Sequence, residues 1–250
     1  EAVKHLIIIN VVVFALTFIL KVNFSDSLAL YFPENDNFGV WQYVTHMFVH
    51  GSPMHLIFNM YGLWAFGTPL EQMWGRNKFI LFYFSAGIGA GVIYTLANYY
   101  QFNSIVDQLA TIGLSSEEIK NLLTSGSYNS QILENISETK LTELYGTFHA
   151  PAVGASGAVY GVLVAFGMAF PNSKLALIFL PIPIAAKYFI PVIILGDLFF
   201  GVTSYSVGNI AHFAHIGGAL IGFIIAWYWK FQIPRSSNKT SPTSIFLCQV

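Results

Sequence analysis

Charge is scarce in this chain: 9% of its 250 residues are charged and 55% are hydrophobic, whereas an ordinary soluble domain carries about 25% charge. That shortage excludes a typical soluble domain and points to a membrane protein with several spans. Cysteine is nearly absent as well. Cys248 stands alone, so neither a disulfide framework nor a thiolate metal site can be built. A net charge of -1 gives no reason to expect nucleic-acid binding. No signal-peptide cleavage pattern follows the first apolar run, and Glu1 in place of an initiator methionine suggests trimmed or mature numbering, with an N-terminal segment missing.

What is abundant is apolar sequence in long runs. Six candidate spans, at about 3–22, 53–72, 78–99, 156–170, 187–206 and 212–230, lie near the ~20 residues that a bilayer core requires. Arg76, Lys78, Lys174, Lys187, Lys230, Arg235 and Lys239 flank one side. Segment 23–52 has Asp26, Glu34 and Asp36 with no lysine or arginine, and 100–153 has six acids against Lys120 and Lys140. The positive-inside rule therefore predicts cytoplasmic termini. The expected fold is an all-α membrane protein, a six-transmembrane-helix bundle over 1–231 with an outer-side insert at about 101–150. A polar tail at 232–250, on the cytoplasmic side, is expected to be disordered.

Three polar clusters interrupt the apolar runs: His55 with Asn59, Ser156 within Gly154-Ala155-Ser156-Gly157, and His215 within His215-Ile216-Gly217-Gly218. Polar groups at membrane depth are costly and mark function by default. They open spans two, four and six, all on the outer side. Counting ~1.5 Å per residue back from the cytoplasmic ends puts Ser156 and His215 at a common height of ~22 Å. Gly157 and Gly161 on span four, and Gly218 and Gly222 on span six, have the small-residue spacing that lets helices touch backbone to backbone. A Ser–His hydrogen bond is then sterically possible. Serine needs a base to take its proton, and histidine titrates in the useful range. No acidic residue counts into the same layer, so a Ser156–His215 dyad is the reading. Gly-x-Ser-Gly alone would more often be packing.

The segments Trp41-Gln42-Tyr43-Val44-Thr45-His46, His50-Gly51-Ser52-Pro53-Met54-His55-Leu56-Ile57-Phe58-Asn59, Gly154-Ala155-Ser156-Gly157-Ala158-Val159-Tyr160-Gly161 and Ala211-His212-Phe213-Ala214-His215-Ile216-Gly217-Gly218 together resemble the rhomboid family of intramembrane serine proteases. The resemblance covers roughly 40–76 and 150–230. It implies Ser156 as nucleophile and His215 as general base. It implies an oxyanion hole from His55, Asn59 and the Ser156 N–H, with Tyr160 packed beneath the histidine. It further implies cleavage of single-span membrane proteins near their outer boundary, with small residues preferred before the scissile bond, without a cofactor. The rival is a non-enzymatic rhomboid-like client-binding protein or a small transporter. Where the family often has Trp-Arg, this chain has Trp41-Gln42. A bacterial inner membrane is the expected location.

Several residues carry weaker expectations. His46 and His50 are spaced i, i+4, but no His-Glu-x-x-His or acidic cluster completes a metal shell, so no metal is expected and His46 is read as a structural hydrogen-bonding residue. His212 is read as a contact to substrate or loop backbone, and His149 as a solvated loop residue. Asp197 sits mid-span; its counted depth favours a structural hydrogen bond or a protonated state over catalysis. Pro181, Pro183, Pro191 and Gly196 weaken the fifth span, which the resemblance makes a lateral gate and which a fixed kink explains equally well. In the insert, Ser115-x-x-Glu118 predicts a capped helix through Leu123, with another at about 135–145. That acidic insert could screen substrates, bind a partner or be a tolerated insertion.

Overall fold

A computed structural model describes residues 1–19, 21, 25–177, 180–203 and 211–232. The chain is mostly helical: α1 (Ala2–Phe18), α2 (Pro53–Gly62), α3 (Thr68–Trp74), α4 (Arg76–Thr111), α5 (Ser116–Ser125), α6 (Glu138–His149), α7 (Ser156–Ala169), α8 (Ala186–Val202) and α9 (His212–Gln232). A π-helical turn, Leu63–Gly67, joins α2 to α3. Such insertions occur where a side chain must be re-aimed inside a helix. Helices therefore occupy all six apolar runs in order. Among the described residues, Arg76–Thr111 and His212–Trp229 are each long and apolar enough to cross a membrane, while Ala2–Phe18 and Ser156–Ala169 are shorter apolar helices. The polar tail lies almost wholly outside the described residues.

The core forms where α4, α7 and α9 pack on one another. Phe79, Phe82 and Tyr83 of α4 and Val162 of α7 are fully buried there. Glycine sets how closely α7 and α9 approach. A Cβ on Gly218 would sit 1.8 Å from the Gly157 carbonyl oxygen, and one on Gly222 would sit 2.5 Å from Gly161 Cα. Both distances are far inside van der Waals contact, so the expected backbone-to-backbone approach is present.

The all-α expectation needs one correction. Lys174–Leu177 (β1) and Leu180–Ala185 (β2) pair as an antiparallel ribbon between α7 and α8. A two-stranded ribbon has only edge strands, where Pro181 and Pro183 are tolerated because their missing donors can face away from the partner. Pro191 lies inside α8.

A second correction concerns α4, which runs 36 residues to Thr111 instead of ending near 99. At 1.5 Å per residue that is ~54 Å, well beyond a ~30 Å hydrocarbon core. Its far end carries a satellite core with Phe102, Ile105 and Leu109 of α4, Leu122 of α5, and Leu141 and Leu144 of α6. The insert is thus a small folded lobe. Its α5 begins with the expected capping box: Glu118 accepts from the Ser115 N–H at 2.8 Å, and the Glu118 N–H donates to Ser115 Oγ at 3.3 Å. The lobe is tied back to the segment between α1 and α2 by the Leu30–Ala152 bridge and by Asn35 Nδ2 donating to the Phe148 carbonyl at 2.8 Å.

Two outcomes check this packing. Gly218→Ala should lower stability by about 1–3 kcal/mol, as overpacking does, read as the unfolding midpoint in detergent; Gly196→Ala, where an added Cβ meets nothing within 4 Å, should be neutral or slightly stabilising. In the lobe, bonds from Ser115 hold the Glu118 carboxyl below its ordinary pKa. Its contribution to the α5 cap is present above the unfolded-state value and is lost as pH falls through the folded one. Ser115→Ala should therefore speed amide exchange in the first turn of α5 at neutral pH, with little effect on α7 and α9.

Candidate active site

Ser156 is the first residue of α7, and Ala155 before it supplies no side-chain cap. The first N–H groups of a helix have no intrahelical acceptor and carry the positive end of its dipole. The serine hydroxyl therefore stands beside unspent donors. His215 enters from the start of α9, and its Nε2 lies 2.8 Å from Ser156 Oγ. Tyr160, one turn along α7, stacks on the His215 ring with centroids 4.2 Å apart and planes 9° from parallel. These three residues meet as the sequence reading requires.

The donors expected around them are also close. Gly154 has φ +118°, and a Cβ there would lie 2.7 Å from His55 Nε2 and 3.8 Å from Ser156 Oγ. Only glycine both adopts that backbone conformation and leaves room for the imidazole. Asn59 is buried, and its Nδ2 donates to the His55 carbonyl at 2.9 Å, which leaves one of its two N–H groups for another acceptor. His46 holds the loop: its Nδ1 meets the Gln42 carbonyl at 2.7 Å, and its own carbonyl accepts from the Gly154 N–H at 2.9 Å. Gln42, in the place of the family's arginine, is fully buried. Its Oε1 accepts from the Tyr31 N–H at 3.2 Å and its Nε2 donates to the Asn37 carbonyl at 2.7 Å.

Two expectations are corrected here. Asp197 does reach the histidine: its Oδ1 lies 3.2 Å from His215 Nδ1 and 2.6 Å from His212 Nδ1, and its Oδ2 accepts from the Tyr160 hydroxyl. Depth counted along the expected span 187–206 misplaced it: α8 ends at Val202, five residues past Asp197, and His215 lies three residues past the start of α9 at His212. His212 faces the same carboxylate. His149 is no solvated loop residue: it closes α6, with Nε2 2.5 Å from the Leu123 carbonyl. Asp197, His212 and His215 also offer three metal-capable atoms within 4.8 Å of one another, so a chelator arm belongs in any activity assay.

A hydroxyl, an imidazole and a carboxylate thus lie in line at a helix start, inside an apolar helical bundle. Residues 37–119 and 121–230 match the Rhomboid domain, and the chain belongs to the rhomboid family. Relatives include Rhomboid protein 1, mitochondrial, of Saccharomyces cerevisiae, 27% identical over 77% of this chain and 42% of that protein. Presenilin-associated rhomboid-like protein, mitochondrial, of Rattus norvegicus is 30% identical over 75% of this chain and 39% of that protein. Rhomboid protease GluP of Bacillus subtilis is 27% identical over 74% of this chain and 25% of that protein. The chain thus spans less than half the length of these relatives. Family membership makes it an integral membrane protein; the bacterial inner membrane does not fit the mitochondrial names and is withdrawn.

Outside the spans, burial lowers the His46 pKa to about 4, and burial together with His55 lowers that of His50 to about 4. His50 is 5% exposed, its ring nitrogens meet no hydrogen-bond partner by geometry among the described residues, and its ring lies 5.0 Å from that of His55. The unfolded chain binds protons on both residues below about 6.5, where the folded state does not. Stability should therefore fall as pH drops from about 6.5 to about 4, by at most ~1.4 kcal/mol per pH unit for each imidazole. Chemical denaturation across that range should show a shallower acid limb in His50→Phe.

Proposed function

We propose that this chain is an intramembrane serine endopeptidase that cleaves single-span membrane proteins near the outer boundary of the bilayer. The 2.8 Å approach of His215 Nε2 to Ser156 Oγ, at the uncapped start of α7, carries the reading. Six spans with both termini cytoplasmic fit the charge pattern, with Arg76, Lys78, Lys174 and Lys187 on one side and the acidic lobe on the other. Membership in a family that includes a relative named as a protease supports the activity.

Ser156 Oγ attacks the peptide carbonyl carbon while its proton passes to His215 Nε2. The carbonyl oxygen becomes an oxyanion held by the Ser156 N–H with the side chains of His55 and Asn59, and each such donor is worth about 3 kcal/mol of barrier. As the C–N bond breaks, His215 gives the proton to the leaving amine. An acyl-enzyme on Ser156 remains, and a water activated by His215 releases it. Gly154 keeps the space beside the nucleophile open for the His55 ring, and Tyr160 holds the base flat.

Incubation of the detergent-solubilised protein with a single-span substrate should give a cut that Ser156→Ala and His215→Ala both abolish and that chelators leave intact. Asn59→Ala should slow it by about 10²-fold. A serine-reactive fluorophosphonate should label the native chain and not Ser156→Ala. A cut that survives either dyad substitution refutes the mechanism, and a native chain that neither cuts nor labels points to a client-binding protein.

A further inference from the structure

Asp197 Oδ1, His212 Nδ1 and His215 Nδ1 all lie within 4.8 Å of one another. Among the described residues they are the one group of three histidine, cysteine or acidic side chains drawn so close. Two imidazoles and a carboxylate are a donor set for zinc, whereas magnesium and calcium take oxygen ligands. The spacing is near what that ion needs. Zinc bonds of about 2.0–2.2 Å at tetrahedral angles hold ligand atoms ~3.4 Å apart. Oδ1 is 3.2 Å from His215 Nδ1, which already fits, and 2.6 Å from His212 Nδ1, a gap that must open by less than ~1 Å. The two rings stand at 88° with centroids 6.5 Å apart, so they can meet one ion without overlapping. Oδ2 stays with the Tyr160 hydroxyl, the kind of bond that holds a ligating carboxylate in place.

We infer that this cluster is a zinc site whose occupation reversibly shuts off the hydrolase. The inference rests on the proposed roles of Ser156 and His215. A metal takes the lone pair of a neutral imidazole, and the ring then keeps its single proton on the other nitrogen. Binding through both Nδ1 atoms therefore leaves each ring with its proton on Nε2. His215 Nε2, 2.8 Å from Ser156 Oγ, then presents a hydrogen to the serine where a lone pair is required. It cannot take the serine proton, so zinc binding and acylation exclude each other. The way in is short. His212 is the first residue of α9 and Asp197 lies five residues before the end of α8, so an ion entering at these helix ends crosses little of the bundle.

Two measurements test this. The first is the rate of fluorophosphonate labelling in detergent as zinc chloride is added, in a buffer that does not bind metals. Saturating zinc should slow the native chain by at least about 10²-fold, as loss of a general base does, and EDTA should restore the rate. His212→Asn keeps an amide donor for Asp197 but offers zinc no imidazole. Its half-inhibiting zinc concentration, measured against its own metal-free rate, should rise at least about tenfold. His50→Asn, which alters the pair formed with His55, should leave that concentration within about threefold of native. The second is direct binding. Equilibrium dialysis should find one zinc per native chain, and X-ray absorption of the loaded chain should show two imidazoles with oxygen completing the shell and no sulfur from Cys248.

A native chain that labels equally fast with and without zinc overturns the inference, as does inhibition that persists unchanged in His212→Asn. If His212→Asn fails to fold, the native chain alone decides it: zinc held by fewer than two imidazoles, or bound without loss of labelling, overturns the inference too. A native chain that never labels, yet binds one zinc that His212→Asn gives up, would count against the proposed protease and leave the metal site standing.

Discussion

The close passage of α7 past α9 is the constraint that everything else answers to. Ser156 and His215 lie on different helices 59 residues apart in the chain, yet their polar atoms lie 2.8 Å apart. No flexible loop brings them together. Two helices do so by touching at Gly157 and Gly218, where no further carbon would fit. In lipid the hydrophobic effect does not drive helices together, so contact depends on packing and hydrogen bonds. The glycine seam supplies the first, and the polar group above it, with Asp197 at its centre, supplies the second.

Much of this was legible in the amino-acid order. Six apolar runs, a one-sided distribution of lysine and arginine, and small-residue spacing ending at a histidine were enough to bring Ser156 and His215 into one layer, and the family resemblance added Tyr160 beneath the histidine. Asp197 was visible too, as a charge where charge is costly. Its partner was not. The expected fifth span ran to about 206, whereas α8 ends at Val202, five residues past Asp197, which puts the carboxylate nearer that helix end than the count allowed.

Other features were hidden for related reasons. The stretch after residue 99 turns polar, which resembles a loop, but it contains no proline or glycine before Gly113 and so the helix continues. Gln42 stood out only as a missing arginine. Its buried amide bonds to two backbone groups of the segment before it, at Tyr31 and Asn37, and no residue pattern announces such a clamp. The capping box at Ser115 and Glu118, by contrast, is local chemistry and was readable at once.

The length of α4 has a mechanical consequence. One unbroken helix carries Ala90, which packs against Gly157 beside Ser156, and Leu109, which sits in the core of the inserted lobe. The two points lie 19 residues apart, or ~28 Å along the axis. The lobe therefore stands on a stiff mast rooted among the reacting groups, and any tilt imposed on its head is felt at the foot.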